Sequence, residues 1–201
     1  MAIWHPGMPQ AEKMAMSLSP LNRTHSLDIG PVHRELPLFS VSPDLAIAVL
    51  NILGDTELTE AAAQELSHRL AGQDYAALVT AETKSIPLAH ALSVCTRKPY
   101  VVLRKNYKPY MGEPLSAETL SITTGAPQTL YLDGKDRQLL QGQGVVLVDD
   151  VISTGSTLAA MRQLMSAAEA RVVAAAAICT EGDAERHGDV IALAHLPLFP
   201  F

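Results

Sequence analysis

Cysteine is scarce, positive charge is outnumbered, and no apolar run is long enough to cross a bilayer. The only cysteines in the 201 residues are Cys95 and Cys179, far apart and with no His or Cys at ligand spacing beside either. That excludes a disulfide framework or a zinc knuckle and predicts two reduced core thiols. Lys and Arg number 15 against 21 Asp and Glu, for a net charge of −6. A sequence-independent nucleic-acid binder needs the opposite balance, although a local basic pocket for a small phosphorylated ligand remains compatible. No stretch approaches the roughly 20 apolar residues of a spanning helix, and the Met-rich start (Met1, Met8, Met14, Met16) lacks the apolar centre of a signal peptide. The expectation is a cytoplasmic protein with no membrane or nucleic-acid partner. Gly-x4-Gly-Lys-Ser/Thr is missing, and Gly142-Gln143-Gly144 precedes its strand instead of following it, which removes the P-loop and the dinucleotide fingerprint. No internal repeat is visible.

What is present is a chain 48% hydrophobic and 18% charged, the composition of a globular domain with a real core. Residues 1 to about 30 show no period and read as an irregular arm. Leu36–Val41 reads as an edge strand because of Pro37. Ser42-Pro43-Asp44 has the residues of a helix start, predicting a helix over Leu45–Leu53 that stops at Gly54. A further helix is predicted over Thr59–Leu70. Strands are predicted at Tyr75–Thr80, Tyr100–Arg104, Val145–Asp149, Arg171–Cys179 and Asp189–Ala194, and helices at Ile86–Thr96 and Thr157–Ala168. Residues 106–118 read as a loop, and Thr119–Thr124 with Gln128–Leu132 as an antiparallel flap around Gly125-Ala126-Pro127. This alternation predicts an α/β fold with a largely parallel central sheet.

In such sheets ligands sit beyond the carboxyl ends of the strands, and three strand ends carry unusual residues. The first is Val145-Val-Leu-Val-Asp149-Asp150-Val-Ile-Ser153-Thr154-Gly155-Ser156-Thr157. Two carboxylates precede a hydroxyl-rich turn that opens a helix. Backbone N–H groups and hydroxyls there suit a phosphate, and Gly155 permits close approach. Adjacent carboxylates suit a ribose diol, so a sugar phosphate fits the whole segment; a plain link in which Asp and Ser cap the helix also fits. The second is Glu82-Thr83-Lys84-Ser85, between a strand and a helix, which alone also fits a solvated turn. The third is Arg104-Lys105-Asn106-Tyr107-Lys108, three cations in an acidic chain, which suits either a pyrophosphate partner or solvent.

The first segment closely resembles the phosphoribosyl pyrophosphate (PRPP) motif of type I phosphoribosyltransferases. Thr83-Lys84-Ser85-Ile86-Pro87-Leu88-Ala89 resembles that family's pyrophosphate loop, in the form of its xanthine phosphoribosyltransferase and purine-repressor branch. Arg104-Lys105-x-x-Lys108 is similar to a segment of the adenine phosphoribosyltransferases, and the likeness runs from about Glu35 to Leu196. The resemblance implies the type I phosphoribosyltransferase fold: a mostly parallel sheet flanked by helices, with a small hood and an antiparallel flexible flap. It divides the chain into an arm, 1–34, and a phosphoribosyltransferase domain, 35–201, with the flap at about 105–130.

The same resemblance assigns roles. Asp149 and Asp150 would bind the ribose hydroxyls and, as metal ligands, Mg²⁺; Ser153, Thr154, Gly155, Ser156 and Thr157 would cradle the 5′-phosphate. Glu82, Thr83, Lys84, Arg104, Lys105 and Lys108 would bind pyrophosphate. Lys84, Arg104, Lys105, Asp149 and Asp150 form the catalytic group, and a non-proline cis peptide would map near Glu82-Thr83. Leu38 and Phe39, with Leu196–Phe201, would form the hood over the base. Adenine members carry a flap glutamate where Thr123 or Thr124 stands here, with Glu118 nearby, which counts against adenine. Tyr107 and Tyr110 are candidates to stack on the base, and Gly112 a candidate hinge. The seven histidines join no motif and read as structural. Two functions follow: a Mg²⁺-dependent transferase moving the phosphoribosyl group of PRPP to a purine in purine salvage, or a non-catalytic PRPP-binding regulator related to the purine repressor. A homodimer is expected from the family in either case.

Overall fold

A computed structural model describes residues 19–120 and 127–201. Its centre is a five-stranded sheet of entirely parallel pairs, in the order β10-β9-β8-β4-β5. These strands are β4 (Ala77–Ala81), β5 (Tyr100–Leu103), β8 (Gly144–Ile152), β9 (Arg171–Glu181) and β10 (Val190–Leu196). All five residues of β4 are buried, as a strand covered on both faces requires. Helices α1 (Thr56–Arg69) and α2 (Ile86–Thr96) cover one face, where Leu58, Leu66, Leu88 and Leu92 pack on Val146, Val148 and Ile178. Helix α4 (Ser156–Ala167) and the end of α3 (Gly134–Leu140) cover the other, packing Met161, Leu164 and Leu140 on Val145 and Leu147.

Two smaller antiparallel sheets frame this body. The hood has the order β1-β2-β3-β11, formed by β1 (Ser19–Ile29), β2 (Val32–Ser42), β3 (Leu45–Ala48) and β11 (Phe199–Pro200). Its inward residues Leu27, Ile29, Leu36, Leu38 and Ala48 join the same cluster as α1 and α2. The flap pairs β6 (Leu115–Leu120) with β7 (Pro127–Leu132). Reciprocal backbone bonds between Arg104 and Tyr131, 2.8 and 2.9 Å, tie it to the sheet edge beyond β5.

The structure corrects several expectations. Residues 19–30 are no irregular arm but a strand and turn, so residue 35 falls inside β2. Pro37 lies on an interior strand, not an edge. Its carbonyl accepts from the Val49 N–H at 3.0 Å, so its ring nitrogen turns to the same side, where β3 has already ended at Ala48 and no ladder bond is required of it. The helix predicted over Leu45–Leu53 is instead strand β3, entered through a turn at Pro43-Asp44 and paired with β2. Its uniformly apolar run had no polar face to mark a helix. Cys95 is exposed, because α2 buries only Leu88, Ala89 and Leu92. The flap strand β6 begins at Leu115, inside the predicted loop, where a short 3₁₀ turn (Pro109–Met111) also sits. Strands β8 and β9 run further than predicted, β8 straight through Asp149 and Asp150. Helix α3 and strand β11 were not anticipated; both are short. Thr123 and Thr124 lie outside the described residues.

Two contacts hold the hood and the central strand in place. The Arg34 guanidinium forks onto both carboxylate oxygens of Asp55, each at 2.8 Å, and Asp55 Oδ1 also accepts from the Leu58 backbone N–H at the start of α1. Arg34 first, and the Leu58 N–H with it, hold the Asp55 carboxyl below its ordinary value against the opposing effect of burial. Gly144 begins β8 where a Cβ would stand 2.5 Å from the Asp74 carbonyl oxygen, so only glycine lets the two backbones pass.

Gly144→Ala is expected to cost about 1–3 kcal/mol in denaturant unfolding, while Gly188→Ala, where an added Cβ meets nothing within 4 Å, changes stability by less than about 0.5 kcal/mol. Asp55→Ala is expected to cost about 1–2 kcal/mol near neutral pH. Because the native carboxyl titrates lower than the unfolded one, this stabilisation is complete above the unfolded value of about 3.9. It is lost as pH falls through the lower native value, so unfolding curves of the two proteins should converge in acid. A gap that widens there would contradict the role given to Asp55.

Candidate active site

The carboxyl ends of β4, β5 and β8 converge on a cavity of about 300 Å³. Its walls include Glu82, Thr83, Lys84, Lys105, Asp149, Asp150 and Thr157, drawn from all three segments singled out in the sequence. Strand β8 delivers the carboxylates because it stays paired with β9 through Ile152 after its last pair with β4 at Val148. Asp150 is 5% exposed and Asp149 half-buried. Burial first, and then the neighbouring charge of Asp150, raise the Asp149 carboxyl above its ordinary value. Asp149 Oδ1 accepts from the Asp150 backbone N–H at 3.0 Å.

Asp150 Oδ2 is buried and has no hydrogen-bond partner among the described residues. Lys84 Nζ stands 3.2 Å away as an ion pair, out of line for a hydrogen bond, and lies 3.4 Å from the Leu50 carbonyl oxygen. The loop carrying Lys84 is fixed from within: Thr80 donates to Ser85 at 2.8 Å and Ser85 donates to the Ala81 carbonyl at 3.1 Å. The Glu82–Thr83 peptide is cis, at the position expected from the resemblance. Glu82 also accepts from the Lys105 backbone N–H at 2.8 Å and pairs with Arg104 Nε. That contact draws Arg104 back onto Glu82 and leaves Lys105 lining the cavity.

Beyond β8, Gly155 takes φ +78° at the N-cap of α4, a conformation glycine adopts without steric penalty. The N-cap Gly155 has no side chain to cap that helix end, and the Ser156 N–H makes only a long bond, 3.5 Å, to Thr154 Oγ1. Ser153 and Thr154 are exposed at its rim, and Gly155, Ser156 and Thr157 are half-buried. A glycine-opened helix start of this kind suits an anion, and it directly follows the two carboxylates. A divalent cation fits the donor set. Adjacent buried carboxylates, one with an orphaned oxygen, suit an ion such as Mg²⁺ that keeps several waters and takes one or two protein carboxylates plus ligand oxygens.

The remaining predicted residues stand apart from this cavity. Lys108 is exposed on the flap side, and Tyr110 is 69% exposed. Tyr107 meets Tyr131, ring centroids 6.2 Å apart, beside a second cavity of about 470 Å³ that shares Lys105 and Gln128 with the first. Leu38 is 1% exposed within the core and Phe39 is half-buried in the hood. Sequence reasoning missed Ser85, Gln128 and Leu130 as lining residues, since the last two enter through hairpin pairing. It also missed a polar pair at the ends of β9 and β10, Thr180 Oγ1 and His195 Nδ1, 3.0 Å apart. The signal was available: both positions are strand ends, the same criterion that located the other three segments.

The model of the phosphoribosyl transferase domain matches residues 51–192. Hypoxanthine/guanine phosphoribosyltransferase of Methanococcus voltae is 40% identical over 107 residues, 53% of this chain and 53% of that protein. HGPRTase-like protein 3 of Haloterrigena turkmenica is 35% identical over 136 residues, 68% of this chain and 69% of that one. The chain thus spans little more than half the length of the first of these relatives. Among solved structures, adenine phosphoribosyltransferase of Thermoanaerobacter pseudethanolicus superposes with TM-score 0.63 at 20% identity, covering 92% of this chain and 99% of its own. The Giardia lamblia adenine enzyme bound to 9-deazaadenine gives TM-score 0.63 at 16% identity, covering 92% and 95%. These likenesses establish the fold, a parallel sheet with a hood and flap. With the family model matching more than half its length, this chain belongs to the phosphoribosyl transferase domain family.

Proposed function

We propose that this protein is a purine phosphoribosyltransferase, moving the phosphoribosyl group of PRPP to a purine base with release of pyrophosphate. The observation that carries this reading is the convergence on one cavity of a carboxylate pair, the start of α4 at Thr157 and two lysines. Each matches one part of PRPP. The diol meets Asp149 and Asp150, the 5′-phosphate meets the turn from Ser153 to Thr157, and the pyrophosphate meets Thr83, Lys84 and Lys105.

The reaction forms a bond between a base nitrogen and C1 of the ribose. The C1–O bond to pyrophosphate breaks with its electron pair on the leaving oxygen, and the proton of the attacking nitrogen passes to water. Positive charge develops on the sugar ring and negative charge on pyrophosphate. No protein nucleophile is needed; the site works by positioning and by charge. Lys84 leaves Asp150 for the leaving group, while Glu82 holds Arg104 and the Lys105 backbone at the cavity edge. Mg²⁺ held by Asp149 and Asp150 with ligand oxygens would supply charge neutralisation for the departing pyrophosphate. A cytoplasmic homodimer acting in purine salvage belongs to this reading on the strength of family membership; among the described residues no helix is long and apolar enough to cross a membrane.

Incubation with Mg²⁺, PRPP and adenine, guanine, hypoxanthine or xanthine separately should yield nucleoside monophosphate and pyrophosphate with at least one base. Asp150→Asn should lower kcat/KM by about a hundredfold or more, since one charged hydrogen-bonding group at a reacting centre is commonly worth that. PRPP binding without turnover of any base would point instead to a PRPP-responsive regulator, and no PRPP binding at all would sink the assignment.

A further inference from the structure

The active-site cavity does not stand alone. The second cavity, of about 470 Å³, is lined by Lys105, Asn106, Tyr107, Gln128, Thr129 and Tyr131, and Lys105 and Gln128 belong to both walls. Its size falls within the roughly 300–1,000 Å³ of small-molecule sites, and no step of the transfer proposed above uses it. Lys84 follows β4 and Lys105 follows β5, so the sheet order β10-β9-β8-β4-β5 puts both lysines to one side of β8. The outer cavity adjoins the inner one on that lysine side.

The two cavities offer different chemistry. The inner one presents lysines and carboxylates, whereas the described residues lining the outer one include no carboxylate. Tyr107 is 49% exposed, and its ring is tilted 59° to that of Tyr131 with centroids 6.2 Å apart, a favourable aromatic geometry. Tyr131 is anchored through its backbone, which exchanges bonds of 2.8 and 2.9 Å with Arg104 and pairs with Ser116 across the flap. Lys105 is anchored in the same way, its N–H donating to Glu82 at 2.8 Å. Glu82 is further engaged by Arg104, and among the described residues no carboxylate pairs with the Lys105 ammonium. A bare phosphate group would fill the inner cavity only, and an apolar ligand would leave the shared lysine without a partner. Two lysines leading into a wall of tyrosines and amides suit a diphosphate that carries a nucleoside.

We propose that the outer cavity is a nucleoside site and that a nucleoside diphosphate spans both cavities, its diphosphate on Lys84 and Lys105 and its base against Tyr107. This deepens the transferase reading above and takes the pyrophosphate subsite from it. A nucleotide so placed excludes PRPP, whose pyrophosphate needs the same lysines, and makes the site inhibitable by nucleoside diphosphates. It leaves Asp149, Asp150 and the turn from Ser153 to Thr157 open to a sugar phosphate. Stacking on an aromatic side chain tolerates any base, because every base has a π-face, so the site reads a diphosphate and an aromatic ring and not one particular base.

The test is calorimetry on the full chain with Mg²⁺, using ADP, UDP and methyl diphosphate, which carries the same charge and no base. Both nucleotides should bind about tenfold more tightly than methyl diphosphate, the scale of one base–aromatic stack. Tyr107→Ala should bring them down to the level of methyl diphosphate with the KM for PRPP unchanged, and Tyr107→Phe, which keeps the ring, should bind them as the native protein does. Inorganic pyrophosphate should displace ADP, and ribose 5-phosphate should not. ADP binding that depends on Tyr107 in a protein that turns over no base would refute the transferase reading and support this site. Turnover of PRPP with ADP bound no more tightly than methyl diphosphate would overturn the site alone. Native-like ADP affinity in Tyr107→Ala would overturn it too. So would displacement of ADP by ribose 5-phosphate and not by pyrophosphate, which would put the nucleotide in the sugar-phosphate subsite instead.

Discussion

Two carboxylates placed side by side at the buried end of a strand repel each other and resist losing their water, and most of the site can be understood as the answer to that constraint. Burial and the charge of Asp150 raise the Asp149 carboxyl, and one oxygen of Asp150 has no hydrogen-bond partner among the described residues. Such an arrangement is costly in isolation. It becomes intelligible where a cation or a hydroxylated ligand completes it. Lys84 supplies an ion pair without a well-aligned hydrogen bond, a contact firm enough to hold the loop yet easily exchanged for a ligand.

The surrounding architecture keeps that pair where it is. Strand β8 can carry Asp149 and Asp150 to the sheet edge only because it is central and apolar along the rest of its length. Gly144 lets it pass close to the Asp74 backbone at its start. The lysine loop is braced by Thr80 and Ser85 from below and by Glu82 across to the Arg104-Lys105 backbone. Those braces join the ends of β4 and β5, and the Arg104–Tyr131 bridge extends the linkage into the flap. The hood is fastened separately, through Arg34 and Asp55 to the start of α1. The lysine-loop side and the hood side are therefore built on different supports around one carboxylate strand.

The sequence by itself determined the alternating fold, the three strand ends and the chemistry of each, because those features are local. A hydrophobic β-branched run ending in Asp-Asp, a hydroxyl-rich turn with one glycine, and cations in an acidic chain all carry their meaning within a dozen residues. The bounds of α2, Ile86–Thr96, are those expected from the sequence. Segments whose state depends on distant partners were misread. Leu45–Ala48 became a strand because β2 and Phe199 pair with it, and Pro37 was tolerated inside a sheet because its nitrogen faces the side on which β3 has ended. Tertiary structure alone decided that Arg104 is held by Glu82 while Lys105 faces the cavity. It alone decided that Thr180 and His195, fifteen positions apart, meet at one edge. Such pairings are set by strand order and long-range closure, and a one-dimensional pattern of residue types does not contain them.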